Sequence, residues 1–379
     1  MLRWTLLFLA LIFLSLGLLT VFRSPDWNEW KLALLASDFG HWVVLGPLLL
    51  GVVASLLLGD HGGFRGAIVI LCVAAAGLLL KPSWQARQIA QTLPGALERE
   101  FGKIVFSPEE APFSIGGLFR RVVEPVAVEV KKFSGELALD FYRGVGGERK
   151  PVPCVIVVHG GGWDSGDREQ LAGLNHWLAR QGYAVAAIDY RLAPKAVWPA
   201  QRDDVRAAIV WLKAHASELG IDATRLVLLG RSAGGQIAGA VAYTENDPAI
   251  RGFVGLYSPY DMHFAWKYAR DDDVLKSPQL LRAFLGGTPE MAGAAYDSAS
   301  AYLNVRPTVP PTLLIHGTID TLVWYKQSER LDAKLTEAKV PHVFVSLPWA
   351  THAFDYNLAG PGGQLTTYAL RRYLAAVTK

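Results

Sequence analysis

Only two cysteines, Cys72 and Cys154, occur in the 379 residues. One lies in an apolar run and the other in a pattern typical of a buried strand. A disulfide framework and a Cys-based zinc site are therefore excluded, and each thiol reads as a small core hydrophobe. An excess of charge of one sign is also missing. Lys and Arg number 37 against 34 Asp and Glu, for a formal net charge of +3. The basic residues are scattered rather than striped along one face, which excludes a nucleic-acid footprint. Internal repeats and low-complexity tracts are absent as well. What the chain does carry is apolar residues, 51% of the total. The surplus beyond the needs of one folded core sits in residues 1–80.

Residues 4–22 form an almost uninterrupted apolar run flanked by Arg3 and Arg23. At about 1.5 Å per helical residue such a run crosses most of a bilayer. A cleaved signal peptide would want a small-x-small site before Arg23-Ser24-Pro25-Asp26, and none is present. Two further apolar runs, 42–59 and 64–80, come after short polar breaks. The pattern predicts three transmembrane helices over residues 1–81, and hence an integral protein of the bacterial inner membrane with the lipid bilayer as partner. With three spans, Arg3 and Arg65 lie on one side and Arg23, Lys31, Lys81 and Arg87 on the other. The positive-inside rule then places the downstream domain in the cytoplasm. Residues 82–125 read as a linker or amphipathic segment, helix-like over 85–101 and then punctuated by Pro and Gly.

From residue 126 onward the pattern changes. Residues 126–130 and 136–142 read as an antiparallel pair of strands, the second with alternating Leu137, Leu139 and Phe141. Short apolar runs stand at 152–158, 183–188, 226–229, 253–257, 312–315 and 343–347, separated by helical patterns at 168–181, 201–217 and 234–243 and closed by one at 365–377. Such alternation predicts an α/β domain: a mostly parallel, doubly wound sheet with helices on both faces and an antiparallel start.

The run 226–229 leads straight into Gly230-Arg231-Ser232-Ala233-Gly234, the G-x-S-x-G pattern of a nucleophile elbow. A serine on a tight strand-to-helix turn is held in a strained backbone conformation, and glycines two residues away on either side avoid collision. The helix after Ser232 aims its positive end at the place where negative charge develops during acyl transfer. Immediately after the 152–158 strand stands His159-Gly160-Gly161-Gly162-Trp163. Three glycines let backbone amides converge on one spot. A phosphate loop would end in Lys-Ser/Thr or open a helix, and Trp163-Asp164-Ser165-Gly166 does neither. The amides of Gly161, Gly162 and Ala233 are therefore assigned to an oxyanion hole, with His159 orienting its loop.

A nucleophilic serine needs a base, and the base needs a carboxylate. His352, in the loop between the last strand and the last helix, emerges at the sheet edge that also carries the elbow. Asp320 comes after the 312–315 strand at the same edge, in His316-Gly317-Thr318-Ile319-Asp320. Asp297 is the alternative acid, but no strand end delivers it. Asp271-Asp272-Asp273 reads as a solvated turn rather than a metal site, and neither a metal nor an organic cofactor is expected.

With these pieces together the chain resembles the α/β-hydrolase superfamily, in particular its hormone-sensitive-lipase-like branch and the feruloyl-esterase-like carboxylesterases. The likeness rests on His159-Gly160-Gly161-Gly162-Trp163, Asp189-Tyr190-Arg191-Leu192-Ala193-Pro194, Trp198-Pro199-Ala200, the serine elbow, the His316–Asp320 stretch and His352-Ala353-Phe354. It runs from about residue 126 to the C-terminus. The His-Gly-Thr-Ile-Asp acid motif is closer to that of dienelactone hydrolases and peptidase relatives. The resemblance implies a serine carboxylesterase with Ser232, Asp320 and His352 as triad, a structural role for Asp189, Tyr190, Arg191 and Asp204, and a helical cap near residues 260–303. An amidase or peptidase on the same fold, or a membrane-tethered binding module with a relict site, remains the alternative. The relict reading predicts a damaged triad or glycine loop, and neither is damaged in this sequence.

Overall fold

The computed structural model describes residues 1–59, 61–106, 110–120, 123–146 and 150–379. Four helices open the chain: α1 (Leu2–Leu18), α2 (Trp27–Val43), α3 (Leu45–Leu57) and α4 (Gly62–Phe101). They differ from the expected three spans. Only α4 is by itself long and apolar enough to cross a membrane among the described residues, α1 is a shorter apolar helix, and α2 meets α3 at a bend of 58°. The expected 42–59 run is thus split at Val44. Pro47 supplies the reason: its ring crowds the carbonyl of residue 43 and it has no N–H to donate, so α2 cannot continue through it.

The stretch expected to be helix-like over residues 85–101 is helical, and it continues the third apolar run without a break. Residues 62–101 form one 40-residue helix, about 60 Å long at 1.5 Å per residue. Pro82 reads as a breaker in sequence, yet lies inside that helix. A proline leaves the carbonyl four residues earlier without its helical donor. Here that carbonyl, of Leu78, accepts from Thr20 Oγ1 at 3.1 Å, and Lys81 Nζ donates to Thr20 O at 2.9 Å. The α1 end thereby replaces the missing bond. Beyond Pro82, Ala86, Leu93 and Leu97 are buried in the same apolar cluster as Val343, Val345, Leu370 and Tyr373. Residues 107–109 and 121–122 of the expected linker lie outside the described residues.

The rest of the chain takes the order β1 (Val128–Ser134), β2 (Leu137–Tyr142), β3 (Val152–Val158), α5 (Ala172–Arg180), β4 (Ala184–Ile188), α6 (Ala200–Ala214), α7 (Ala216–Leu219), β5 (Ile221–Arg231), α8 (Ala233–Thr244) and β6 (Ile250–Leu256). Helices α9 (Met262–Tyr268), α10 (Ser277–Leu285) and α11 (Pro289–Ala299) form an insertion before β7 (Thr312–Gly317), α12 (Lys326–Glu337), β8 (His342–Leu347) and α13 (Pro361–Val377). Helix α12 has no counterpart in the expected pattern. Its charged run Lys326-Gln327-Ser328-Glu329-Arg330 obscures the two core residues, Leu331 and Leu335, that hold it.

The eight strands lie in the order β1-β2-β4-β3-β5-β6-β7-β8. Strand β2 runs antiparallel to β1 and β4, and every later pairing is parallel. This is the α/β-hydrolase fold that the motifs lead one to expect. Apolar side chains leave both sheet faces, one set packing with α6 and α8, the other with α4, α5 and α13. Burial on both faces is why the central strands read as unbroken apolar runs. The parallel register also brings the loops after β3, β5, β7 and β8 to one edge.

Candidate active site

Ser232 sits between β5 and α8 with φ 51° and ψ −123°, outside the regions that a side-chain-bearing residue ordinarily occupies. The surrounding glycines are sterically required. A Cβ on Gly230 would stand 2.3 Å from Gly234 O, one on Gly234 2.2 Å from the carbonyl oxygens of Val158 and His159, and one on Gly235 1.9 Å from Ser258 Oγ. Strand β3, strand β5 and α8 thus meet too closely for any side chain there. The result is a hydroxyl lifted off the sheet edge at the head of a helix.

Behind the serine lies a group that sequence reasoning left without a role. Arg231 is fully buried and its Nε donates to Asp355 Oδ2 at 2.6 Å, while Tyr257 Oη donates to Asp355 Oδ1. Burial opposes the guanidinium charge, but the Asp355 carboxylate and Tyr257 more than offset it and raise the Arg231 pKa. The network ties the elbow to the loop that carries His352, whose ring packs on Tyr257 at 4.4 Å. A charged residue closing an apolar strand was the available signal: buried, it must find a carboxylate.

The Gly-rich loop reaches the serine from β3. Gly161 and Gly162 have φ of +111° and +60°, and a Cβ on Gly161 would stand 2.1 Å from Ser165 O. Among the described residues the amides of Gly161, Gly162 and Ala233 donate to no protein acceptor. The loop is pinned on both sides. Gly160 N donates to Gln170 Oε1 at 2.8 Å, and Trp163 Nε1 donates to Gln236 Oε1 at 2.8 Å while its ring stacks on Phe284 at 4.4 Å. His159 stacks on Tyr190 at 4.2 Å, and its Nδ1 lies 2.6 Å from Gly160 O. Burial lowers its pKa, so the ring is neutral near pH 7 and donates Nδ1–H to that carbonyl.

Asp320 is buried and all its acceptor capacity is used. Oδ1 takes the amides of Leu322 at 2.8 Å and Val323 at 2.9 Å; Oδ2 lies 2.7 Å from His352 Nδ1 and 3.1 Å from His316 Nε2. Burial would raise this carboxyl, but the charges and hydrogen bonds of His352 and His316 prevail and hold it well below the usual carboxylate range. The position of His316 at a strand end gives it no role in sequence. In the structure it shares the carboxylate, with its Nδ1 2.7 Å from Ser328 Oγ. Asp297, the alternative acid, pairs instead with His263 at 2.7 Å on the exposed insertion. Asp273 caps its own turn through Leu275 N and Ser277 N, and Asp272 binds Arg270.

Ser232, His352 and the amides of Gly161, Gly162 and Ala233 face one cavity of about 500 Å³. A second cavity of about 320 Å³, walled by Phe264, Tyr268 and Trp324, adjoins it through Trp163, Leu280 and Leu322 and reaches Asp320. One wall of the first cavity comes from an element that sequence reasoning did not connect with the site: Trp27, Trp30 and Leu34 of α2. The motif residues Asp189, Arg191 and Asp204 hold loops instead. Arg168 bridges Asp189 and Asp140, and Asp204 binds Arg191.

The BD-FAE family model matches residues 139–335, just over half of the chain, a span containing Ser232 and Asp320 and ending before His352. Among curated proteins the chain is similar to the probable carboxylic ester hydrolase LipM of Mycobacterium tuberculosis, with 32% identity over 59% of this chain and 54% of LipM. It is likewise similar to the esterase LipC of the same organism, with 31% identity over 72% of this chain and 70% of LipC. The match thus spans only about half of LipM. Among solved structures, a bacterial heroin esterase superposes with a TM-score of 0.58 at 20% identity over 78% of this chain and 93% of the other. An arylesterase gives 0.57 at 21% over 79% and 97%. These two likenesses are of fold.

Proposed function

The chain belongs to the BD-FAE family, and from that premise we propose that it hydrolyses carboxylic esters through an acyl-enzyme on Ser232. One arrangement carries the reading: a strained serine, a histidine fixed by a buried carboxylate, and three unpaired amides around one cavity. Because Asp320 stays ionised, it accepts Nδ1–H of His352 and leaves Nε2 as the base. His352 Nε2 takes the Ser232 proton as Oγ attacks the ester carbonyl. The amides of Gly161, Gly162 and Ala233 receive the oxyanion, and the α8 N-terminus adds its positive end. His352 then returns the proton to the leaving alcohol, and water cleaves the acyl-serine in a second pass of the same steps.

The N-terminal helices are assigned to the bilayer: the first half of α4 crosses it, α1 and α3 pack beside that half within the apolar layer, and α2 lies on the side of the catalytic domain. The outward-facing leucines and valines of these helices support this reading. Arg23, Lys31, Lys81 and Arg87 on the catalytic side support a cytoplasmic domain. Two experiments test the proposal. Ser232→Ala should lower hydrolysis of p-nitrophenyl butyrate by about 10⁶-fold and abolish fluorophosphonate labelling; retained activity in that variant sinks the assignment. A phosphatase reporter fused after Lys379 should be silent, and periplasmic activity would reverse the topology.

A further inference from the structure

The cavity in front of Ser232 is closed on one side by a helix that both begins and ends at bilayer-facing elements. Trp27, Trp30 and Leu34 recur at i, i+3 and i+7, one face of α2, and that face lines the cavity. Just before α2, Ser24 N donates to Thr321 Oγ1 at 3.1 Å, beside Asp320. Further along, Asp38 O accepts from Asn357 Nδ2 at 3.2 Å, on the loop that carries His352. At its end α2 bends into α3, whose Leu48, Leu49, Val52 and Leu56 face outward. The rim is aromatic and open: Trp27 and Tyr356, which line the cavity, are each more than two-fifths exposed. A water-soluble ester needs no such rim.

Resting on the esterase reading above, we propose that the substrate is an ester carrying a long apolar chain that resides in the bilayer. It enters along α2, and its chain lies against Trp27, Trp30 and Leu34 while its carbonyl reaches Ser232. The N-terminal region, through α2, is then part of the binding site rather than only an anchor. The cavity walls away from α2, including Leu275, Leu280 and Val323, are equally apolar, as a chain-binding site requires.

The test uses the full chain in phosphatidylcholine vesicles with two probes, p-nitrophenyl butyrate supplied from water and p-nitrophenyl palmitate in the bilayer. Trp30→Ala and Leu34→Ser should each lower the palmitate-to-butyrate ratio of kcat/KM by about tenfold, the scale of losing one apolar wall contact. Fluorophosphonate labelling of the variants should persist and so report an intact elbow. An unchanged ratio with labelling retained overturns the proposal. Butyrate turnover without palmitate turnover in the wild-type protein overturns it too, while leaving the esterase reading intact. If neither ester is cleaved and Ser232 stays unlabelled, the esterase reading itself fails and this proposal with it. Should the variants not fold, a diazirine-bearing palmitate ester crosslinked to the wild-type protein decides. Capture at Trp27, Trp30 or Leu34 supports the route, and capture confined to other residues refutes it.

Discussion

In the sheet domain Val, Leu and Ile mostly point inward; in the N-terminal helices many of them point outward. Leu313 on β7 and Val227 on β5 are fully buried, whereas Leu49, Leu56 and Ile70 are 66%, 76% and 69% exposed. Between the helices small residues, Ala10, Ala33, Ala54, Ala75, Gly17 and Gly40, are packed away beside a few large ones such as Leu50, Ile68 and Leu79. A Cβ on Gly40 would stand 2.2 Å from Leu79 O, so α2 and α4 touch backbone to backbone. Water drives the first pattern, because each buried apolar side chain leaves an unfavourable solvent. Lipid tails provide no such drive, and helices there associate by the close fit of small residues. On the proposed bilayer placement the two regions obey different solvents, and α4 joins them as one continuous helix: its first half belongs to one pattern, and its second half to the other.

That contrast can be broken in order of effect. Asp320→Asn, at the sheet edge, should lower kcat on a soluble ester by about 10⁴-fold through the wrong histidine tautomer, with no loss of membrane retention. A drop of less than tenfold would remove Asp320 from the mechanism. The same variant carries a pH signature. The folded-state pKa of Asp320 is depressed, so its contribution to stability is present above the ordinary carboxylate value of about 3.9 and is lost as pH falls toward the folded value. The stability gap between wild type and Asp320→Asn should therefore narrow below about pH 4 in a thermal-melt series; a gap that widens on acidification contradicts the depressed pKa.

Glycines should answer in opposite senses in the two regions. Gly234→Ala places a methyl against two carbonyl oxygens and should cost about 3 kcal/mol or more. Gly77→Ala on α4 meets nothing within 4 Å and should stabilise by about 0.5–1 kcal/mol. Melts in detergent compare the two, and equal signs would defeat the contrast. At the junction, Leu97→Ala should cost about 2 kcal/mol or more, because the second half of α4 is part of the sheet domain's core; a neutral result would make that half a tether after all. The smallest effect belongs to Ile70→Ser, which should weaken retention in vesicles and leave soluble-ester turnover within about twofold, as expected for a lipid-facing side chain remote from the site. Unfolding of that variant in detergent would mean that Ile70 is core.

Much of the domain was legible because its signals are local. Strand β3 coincides with its apolar run, and β4, β7 and β8 lie within two residues of theirs, since double-sided burial leaves no polar interruption. Ser232 announces itself by the glycines that its turn demands, and Asp320 and His352 by loops at the same sheet edge. Other groups were hidden because their partners are distant in sequence. Arg231 and Asp355 are 124 residues apart, and a charge in an apolar stretch does not say which carboxylate meets it. Helix α12 was missed because two buried leucines in a charged run make a weak periodic signal.

The N-terminal region divides the same way. Its apolar content was set by the residues alone, and so was the α/β character of the domain after it, since hydrophobic pattern and turn chemistry act over a few residues. Continuity of α4 through Pro82 was decided by the tertiary structure, because the orphaned Leu78 carbonyl finds Thr20, 58 residues earlier. The placement of α2 over the serine was decided there too. No local pattern of Trp27, Trp30 and Leu34 distinguishes a face turned to lipid from one turned to a cavity; only the docking of α2 between α4 and the loops that carry Asp320 and His352 does.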